Sequence, residues 1–261
     1  MEVLYGIHPV EEAIRSGARQ LDHVSVARER HDEKLDRLME LCRSEGIRVT
    51  HESKDTLTKL ARSEMHQGVL AVVRERKFLA IEDLMAGEKD GYRFFLALDG
   101  VEDPHNLGAL LRTAEGAGVD GVIIPERRSA PITATVAKTS AGASEHVKVA
   151  RVTNLVRSLE QLKQKNVWVL GLDERGSPDY MDFDFKTDCV LVLGREGAGL
   201  HDLVKKTCDH LLRIPMAGQV ASLNVSVAGA IVMYEAMRQR RSPAPPKPEP
   251  ALPKKRKGLG S

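Results

Sequence analysis

Cysteine is scarce in this chain, and its scarcity argues against two kinds of site. The 261 residues include only three cysteines, Cys42, Cys189 and Cys208, which lie far apart. This odd, scattered set forms neither a disulfide framework nor a CxxC pair. The nine histidines show no HxxxH or HExxH spacing, the usual sign of a zinc site on a helix. We therefore predict reduced, mostly buried thiols and no bound metal.

Long hydrophobic runs are also missing, and aromatic residues make up only 4% of the chain. A membrane-spanning helix requires roughly 18 consecutive apolar residues, and no segment approaches that length. The N-terminal segment MEVLYGIHPVEE has no basic stretch followed by an apolar one, so it does not resemble a secretory signal. Apolar residues account for 42% of the chain, enough for one or two buried cores. We expect a soluble cytoplasmic protein with no membrane partner.

Net positive charge is confined to the C-terminal end. The whole chain carries +2, whereas its last twenty residues, SPAPPKPEPALPKKRKGLGS, carry five positive charges and one negative charge. The remaining residues therefore total about −2, and any RNA site in them must be a local patch. Six prolines exclude a packed element, so we predict a disordered tail over 242–261. It is either an electrostatic tether for phosphates or a solubilising extension.

The first 75 residues alternate between helical and strand patterns. Short strands are expected near 21–27, 47–51 and 69–73, and helices near 10–17, 32–45 and 54–63. Asp32–Glu45 has Leu35, Leu38, Leu41 and Cys42 on one stripe, and Ser53 is the expected cap of the next helix. We predict a small α/β domain over 1–75. Residues 76–92, which are rich in charge and contain two glycines, are predicted to be a linker with a short helix.

A second α/β domain is predicted over 93–241. Short apolar strands are expected near 94–98, 122–124, 167–172 and 190–193, with a helix near 155–165. Fully apolar strands separated by helices predict a mainly parallel sheet covered on both faces. A long helix over 225–240, apolar on much of its surface, is suited to packing against a second subunit as well as its own core.

The segment 116–121, GAGVDG, matches the GxGxxG pattern of dinucleotide-binding proteins. A genuine fingerprint follows a strand and opens a helix. Here the predicted order is reversed, so we interpret these glycines as a helix stop and a tight turn. A nucleotide-dependent oxidoreductase is an alternative function that only this pattern supports.

Three other segments carry candidate functional residues. The first, DGVEDPHNLGALLRT, predicts a helix with Asp103 as cap and Pro104 in its first turn, followed by Arg112. Gly108, one turn before Arg112, would leave room for a group to approach the guanidinium. The alternative is a solvated surface arginine, the usual position of arginine on a helix.

The second and third segments are loops. In VLVLGREGAGL an apolar strand runs into a glycine-rich turn that contains Glu196, at the strand end where open α/β sheets bind ligands. In LRIPMAGQVASLNVS a loop with proline and glycine leads to Ser222 and Asn224, ahead of the final helix. Taken separately, the second segment is equally consistent with a tight strand-to-helix turn, and the third with a helix cap.

Together, in this order and spacing, the three segments resemble the motifs of the SpoU family of RNA 2′-O-methyltransferases, within the trefoil-knotted SPOUT superfamily. The resemblance covers about residues 95–238. The matching residues are Asn106, Gly108, Arg112 and Thr113; Leu193 to Gly197 and Gly199; and Ile214 to Met216 with Ser222 to Ala228. Short segments near the ends of the first domain, 5–13 and 66–69, resemble the ribosomal-protein-L30e-like domain of the branch that acts on large-subunit ribosomal RNA.

The resemblance implies a knotted α/β methyltransferase domain that binds S-adenosyl-L-methionine. The residues implied for cofactor binding are Gly194, Ile214, Met216 and Leu223. The implied catalytic residue is Arg112, with Asn106, Glu196, Ser222 and Asn224 positioning it and the ribose. Because the arginine pKa lies above 12, we favour electrostatic stabilisation of phosphate and alkoxide by Arg112 over general-base catalysis.

The resemblance also implies a homodimer whose active site is completed across a two-fold interface, and an N-terminal domain that selects RNA. The expected reaction is 2′-O-methylation of a ribose, in a guanosine of 23S ribosomal RNA. Two alternatives stay open at this point: a transfer-RNA 2′-O-methyltransferase, and a non-catalytic RNA-binding ribosome assembly factor.

Overall fold

The computed structural model describes residues 1–86 and 89–241, so the predicted tail over 242–261 lies outside the described residues. The chain forms two sheets, one from each half. The elements of the N-terminal half are β1 (Glu2–Tyr5), α1 (Ile7–Ser16), β2 (Leu21–Ala27), α2 (Glu33–Ser44), β3 (Val49–Glu52), α3 (Lys54–Ala61) and β4 (Val69–Val73). Its four-stranded sheet has the order β1-β4-β2-β3, in which β4 is antiparallel to both of its neighbours and β2 is parallel to β3.

The C-terminal half forms a six-stranded sheet in the order β10-β8-β9-β5-β6-β7, with every neighbouring pair parallel. Its elements are α4 (Ile81–Met85), β5 (Phe94–Leu98), α5 (Pro104–Gly116), β6 (Gly121–Pro125), α6 (Ala134–Thr139), β7 (Val149–Val152), α7 (Leu155–Lys163), β8 (Trp168–Leu172), β9 (Cys189–Leu193), α8 (Asp202–Thr207), β10 (His210–Leu212) and α9 (Val225–Arg241). The predicted parallel α/β sheet is confirmed.

Local capping explains where the main helices begin. The Asp32 carboxylate accepts hydrogen bonds from the first backbone amides of α2, and the Ser53 hydroxyl accepts one from the backbone amide of Thr56 in α3. The Asp103 side chain caps α5, with Pro104 in its first turn, as predicted. Helix α1 begins at Ile7, three residues before the predicted start, because a proline is tolerated in a first turn.

Both faces of the six-stranded sheet are buried. In β5, Phe94, Leu96 and Leu98 pack against α5 and α9, while Phe95 and Ala97 pack on the opposite face. All five residues of this strand are buried, which explains its uninterrupted apolar sequence. The strands β1, β7 and β10 were not predicted, since each has only three or four residues.

The segment predicted to be a linker is packed against the C-terminal sheet. The backbone amide of Leu79 donates to Val149 O at 2.9 Å, and α4 buries Ile81 and Leu84. On the other side, Ala137 of α6 lies in the hydrophobic core of the N-terminal sheet. The two sheets are therefore joined by direct packing as well as by the chain. The domain boundaries at 75 and 92 stay a prediction.

The glycine pattern at 116–121 follows the predicted order. Helix α5 ends at Gly116, Gly118 has a positive φ of 71°, and β6 begins at Gly121. The turn therefore enters a strand and presents no helix N-terminus to a phosphate, and the dinucleotide interpretation is wrong. Over residues 1–86 and 89–241, no helix is long and apolar enough to cross a membrane.

Candidate active site

The candidate site lies where the strands of the C-terminal sheet end. Because all six strands are parallel, their carboxyl ends share one edge, the edge at which α/β sheets bind ligands. At this edge the Asp99 backbone amide, directly after β5, donates to Leu193 O at the end of β9 at 2.8 Å. The first and second sequence motifs therefore start side by side, although they are almost one hundred residues apart.

The loop after β9 folds back on itself. Arg195 and Gly199 exchange two backbone hydrogen bonds of 3.0 and 2.9 Å, and Gly197 and Gly199 both have positive φ angles. A Cβ atom at Gly194 would lie 2.3–2.5 Å from the backbone of Gly199 and Leu200. The chain itself thus occupies the space that a side chain at position 194 would need. Glycine is required at 194 first of all to let this turn form.

Three predicted site residues are joined in one hydrogen-bonded ring, here called the amide–carboxylate cluster (Asn106, Glu196 and Asn224). Asn106 Nδ2 donates to Glu196 Oε2 at 3.2 Å. Asn224 Nδ2 donates to Glu196 Oε1 at 2.6 Å and to Asn106 Oδ1 at 3.0 Å. Each of the two carboxylate oxygens accepts one hydrogen bond from an amide nitrogen. The cluster joins the start of α5, the loop after β9 and the start of α9.

Asn224 has a second role in the first turn of α9. Its Oδ1 accepts from the Ser226 backbone amide at 2.9 Å and from the Ser226 hydroxyl at 2.6 Å. This is the capping contact that the short polar residues of the third motif predicted. The capping and site interpretations of Asn224 are therefore compatible, because its oxygen caps the helix while its nitrogen faces the cluster.

Beside the cluster lies a cavity of about 400 Å³, within the range typical of small-molecule sites. All four residues predicted to bind the cofactor line this cavity, together with two of the predicted catalytic residues: Gly194, Ile214, Met216 and Leu223, with Glu196 and Ser222. The structure thus brings together residues from the second and third motifs, which are separated by the strand β10.

Charged groups lie at the wall of the cavity on the β8 side. Lys205 Nζ of α8 donates to Asp173 Oδ2 at 2.7 Å. Burial acts to raise the pKa of the Asp173 carboxyl, but the hydrogen bonds and positive charges of Lys205 and Arg175 together outweigh it and lower that pKa overall. Asp173 therefore presents a stable negative charge to the cavity near neutral pH.

Arg112 lies apart from the cluster. It is exposed on α5, about 9 Å along the helix axis from Asn106. No described residue accepts a hydrogen bond from its side chain, and Arg112 does not line the cavity. Three of the four residues predicted to position it, Asn106, Glu196 and Asn224, bond to one another instead. Within a single chain, the exposed position of Arg112 is therefore consistent with both the surface-arginine interpretation and the catalytic interpretation.

The role predicted for Gly108 is wrong. Gly108 is buried, and a Cβ atom there would lie 2.6 Å from Thr139 Cβ and 3.1 Å from the Ser140 backbone nitrogen. Glycine is needed because α6 packs directly against α5 at this point, and the space holds protein rather than an approaching ligand. The apolar stripe of α5, formed by Leu107, Leu110, Leu111 and Ala114, is fully buried.

Sequence reasoning missed a buried pair at the same edge. Asp99, only 6% exposed, accepts hydrogen bonds from the His201 backbone amide at 2.7 Å and from His201 Nδ1 at 2.8 Å. These contacts attach the end of the second motif to the start of the first. The available signal was an aspartate directly after a fully apolar strand, a position that faces the ligand edge of a parallel sheet.

Comparison with known proteins identifies the family. The SpoU rRNA methylase family matches residues 93–234, and the substrate-binding domain of RNA 2′-O ribose methyltransferases matches residues 3–79. The chain is 41% identical over 241 residues to a putative TrmH family tRNA/rRNA methyltransferase, YacO, of Bacillus subtilis, covering 92% of this chain and 96% of that protein.

Two further relatives agree. A 23S rRNA (guanosine-2′-O-)-methyltransferase, RlmB, of Pseudomonas aeruginosa is 42% identical over 242 residues, covering 92% of this chain and 97% of that protein. The crystal structure of the SpoU methyltransferase AviRb of Streptomyces viridochromogenes with AdoMet superposes with a TM-score of 0.77 at 26% identity, covering 91% of this chain and 90% of that one. The chain therefore belongs to the SpoU rRNA methylase family, as the three motifs predicted.

Proposed function

We propose that this S-adenosylmethionine-dependent methyltransferase modifies the ribose 2′-hydroxyl of a guanosine in 23S ribosomal RNA, in the cytoplasm. The observation that carries the proposal is the cavity beside the amide–carboxylate cluster. The cluster joins residues of all three motifs at one sheet edge. The relatives named for 23S rRNA guanosine 2′-O-methylation match this chain over nearly its whole length, including the N-terminal domain.

The cavity has the properties that S-adenosylmethionine requires. Its volume of about 400 Å³ suits a nucleoside with an amino-acid side arm. Ile214, Met216 and Leu223 provide an apolar wall for the adenine, and the bare backbone of the Gly194 loop can approach a ligand closely. Asp173 and its neighbours offer carboxylates to a ligand that carries positive charge. When bound, the cofactor supplies a methyl group on a sulfonium centre.

The work of the protein is to orient the ribose and to stabilise the charge that develops on its oxygen. The amide–carboxylate cluster holds Glu196 in a fixed position next to the cavity. We assign Arg112 to the backbone phosphate and the forming alkoxide, because its planar guanidinium holds two oxygens at once. Ser222, exposed on the cavity wall, is a hydrogen-bonding partner for the ribose.

A homodimer explains why Arg112 stands apart within one chain. Helices α5 and α9 pack closely, with Gly229 of α9 directly beside Leu110 of α5. Helix α9 nevertheless leaves Val227 and Tyr234 about half exposed. A two-fold contact through this surface would cover these side chains and bring Arg112 of one protomer toward the cluster of its partner. The knotted path of the loops is part of the same proposal.

The test is methyl transfer from radiolabelled S-adenosylmethionine to total RNA, followed by mapping of the modified nucleotide. Label at the 2′-oxygen of a guanosine in 23S RNA is the expected result. Label in transfer RNA alone would replace this substrate with the transfer-RNA alternative. A folded protein that binds ribosomal RNA but transfers no methyl group to any RNA would be an assembly factor, and the proposal would be wrong.

A further inference from the structure

A second cavity, of about 490 Å³, lies between the two sheets and is not part of the candidate active site. One wall is β1 of the N-terminal sheet, with Glu2 and Val3. The other is the carboxyl end of β6 and the loop that follows it, with Glu126 and Ser129. We call it the interdomain cleft. Its position makes it a shared surface of the substrate-binding domain and the methyltransferase domain.

The interdomain cleft opens at the same sheet edge as the active site. In the strand order β9-β5-β6-β7, β6 is two strands from β9, or about 10 Å at the usual strand spacing. The loop after β6 is tied to the active-site region, because the Ala130 backbone amide donates to Val101 O at 2.9 Å. Val101 belongs to the connection between β5 and α5 that leads to Asn106. An RNA strand crossing this edge would meet both cavities.

The polar groups of the cleft are those of a nucleobase site. The Arg151 guanidinium lies 5.1 Å from the centroid of the Phe78 ring, so the ring supports it while the arginine itself stays exposed. Ser129 Oγ is buried and has no hydrogen-bond partner among the described residues. Glu126 also lines the cleft, and its carboxylate can accept hydrogen bonds from a ligand.

Three exposed arginines lie in the cleft or next to its lining residues in the chain. Arg127 and Arg128 are consecutive and exposed, directly after Glu126, and no described residue pairs with either side chain. Arg151 adds a third guanidinium on the adjacent strand, in register with Ile124. Bases that proteins recognise in RNA are commonly unpaired, stacked on aromatic or arginine planes, and bonded at their edges, while their phosphates meet arginines.

We infer that the interdomain cleft binds one unpaired nucleobase of the RNA substrate, near the nucleotide that is methylated. The base stacks on the Arg151 guanidinium, its ring and amino N–H groups donate to Glu126, and Ser129 Oγ makes the remaining edge contact. Arg127 and Arg128 hold the flanking phosphates. This inference rests on the proposed function, because it assumes that the substrate is RNA.

The test combines Arg151→Gln with RNA probes that lack single bases. Binding of a ribosomal RNA hairpin to the full-length protein is measured by fluorescence anisotropy, with no methyl transfer required. Arg151→Gln should weaken binding about 10-fold or more, the effect typical of losing one stacked base. Arg157→Gln is the matched control, since Arg157 is exposed on α7 at the opposite face of the sheet. Ser129→Ala, which leaves the stacking face intact, should weaken binding by a smaller factor.

Removal of single bases then locates the contact. One abasic position should weaken binding to the wild-type protein at least as much as Arg151→Gln does, and should cause a clearly smaller loss in that variant than in the wild type. Additive losses at every position, or Arg151→Gln binding within two-fold of wild type, would overturn the inference. These binding results are independent of methyl transfer, so they also separate failure of the cleft assignment from failure of the proposed function.

Discussion

Glu145 is the side chain whose replacement should most clearly uncouple the two sheets. It lies at the end of the 3-10 turn Ala143–Glu145, and its side chain is 0% exposed. Arg76 Nη2 lies 2.9 Å from Glu145 Oε1, and Arg19 Nη1 lies 3.6 Å from the same oxygen. Arg19 belongs to the N-terminal half, Arg76 to the connecting segment and Glu145 to the C-terminal half. One buried carboxylate therefore holds all three parts of the chain.

The substitution Glu145→Gln removes the negative charge while keeping the shape of the side chain. The side chains of Arg19 and Arg76 are 4% and 10% exposed, so water cannot replace the carboxylate. Removing one partner of a buried ion pair typically costs about 3–5 kcal/mol. Arg19 keeps its contact with Glu2 and its hydrogen bond to Arg74 O, which places the expected loss near ~3 kcal/mol.

Thermal and urea unfolding of the full-length protein measure this loss. At roughly 2–4 °C per kcal/mol for a protein of this size, Glu145→Gln should lower Tm by about 6–12 °C. Glu12→Gln is the matched control: it removes a contact of 2.6 Å between Glu12 and His146 across the same interface, but both side chains are partly exposed. That contact should be worth at most about 1 kcal/mol. If the two variants were equally stable, the buried carboxylate would not be what joins the sheets.

Three further predictions concern the site and the N-terminal domain. Gly194→Val should abolish S-adenosylmethionine binding in calorimetry, because its side chain collides with the turn beside it; Gly218→Ala, in open space, should bind normally. Arg112→Lys should lower kcat about 10²–10³-fold in single-turnover methylation with unchanged cofactor affinity, whereas a rate within a few-fold of wild type would restore the surface-arginine interpretation. Burial, reinforced by nearby lysine charges, lowers the pKa of His66 below 6.5, so the folded state holds it neutral and the unfolded state takes up the proton first. The contribution of His66 to stability is complete above pH 6.5 and is lost as the pH falls below it. The variant His66→Gln should therefore lose less stability than the wild type as the pH falls below 6.5.

The reactivity of cysteine was predictable from composition and position, and the structure gives the physical cause. All three cysteines are free, and Cys42 and Cys189 are buried. Burial raises the pKa of Cys42 to about 11 and that of Cys189 to about 12. These thiols therefore stay protonated and unreactive near neutral pH, and their burial agrees with the mostly buried thiols predicted from the scattered spacing.

Helix starts and buried stripes could be predicted because they depend on neighbours in the chain. The Asp103 cap acts on an amide two residues away, and the stripe of α5 follows from the 3.6-residue period of a helix. The second and third motifs, whose residues line one cavity, could be grouped together because their resemblance to a family supplied the long-range information. Periodicity alone would have left both as a turn and a cap.

The reasons for individual glycines could not be predicted. Gly108 and Gly194 are required by Thr139 of another helix and by the turn at Gly199, and both contacts depend on how the chain returns to the same place. A glycine in a sequence shows only that a side chain is absent. It does not show whether a ligand or the protein itself occupies the space, and here the protein occupies it at both positions.

The sequence by itself determined the parallel α/β sheet, the family and the residues that form the amide–carboxylate cluster, since short motifs and local periodicity carry this information. Only the tertiary structure decided that the cluster is a closed hydrogen-bonded ring, with partners 90 and 118 residues apart in the chain. It alone also revealed the Glu145 junction and the interdomain cleft. The physical reason is that hydrogen bonds, ion pairs and cavities form between surfaces that chain folding brings together. The separation of two residues in the sequence does not show whether folding brings them into contact.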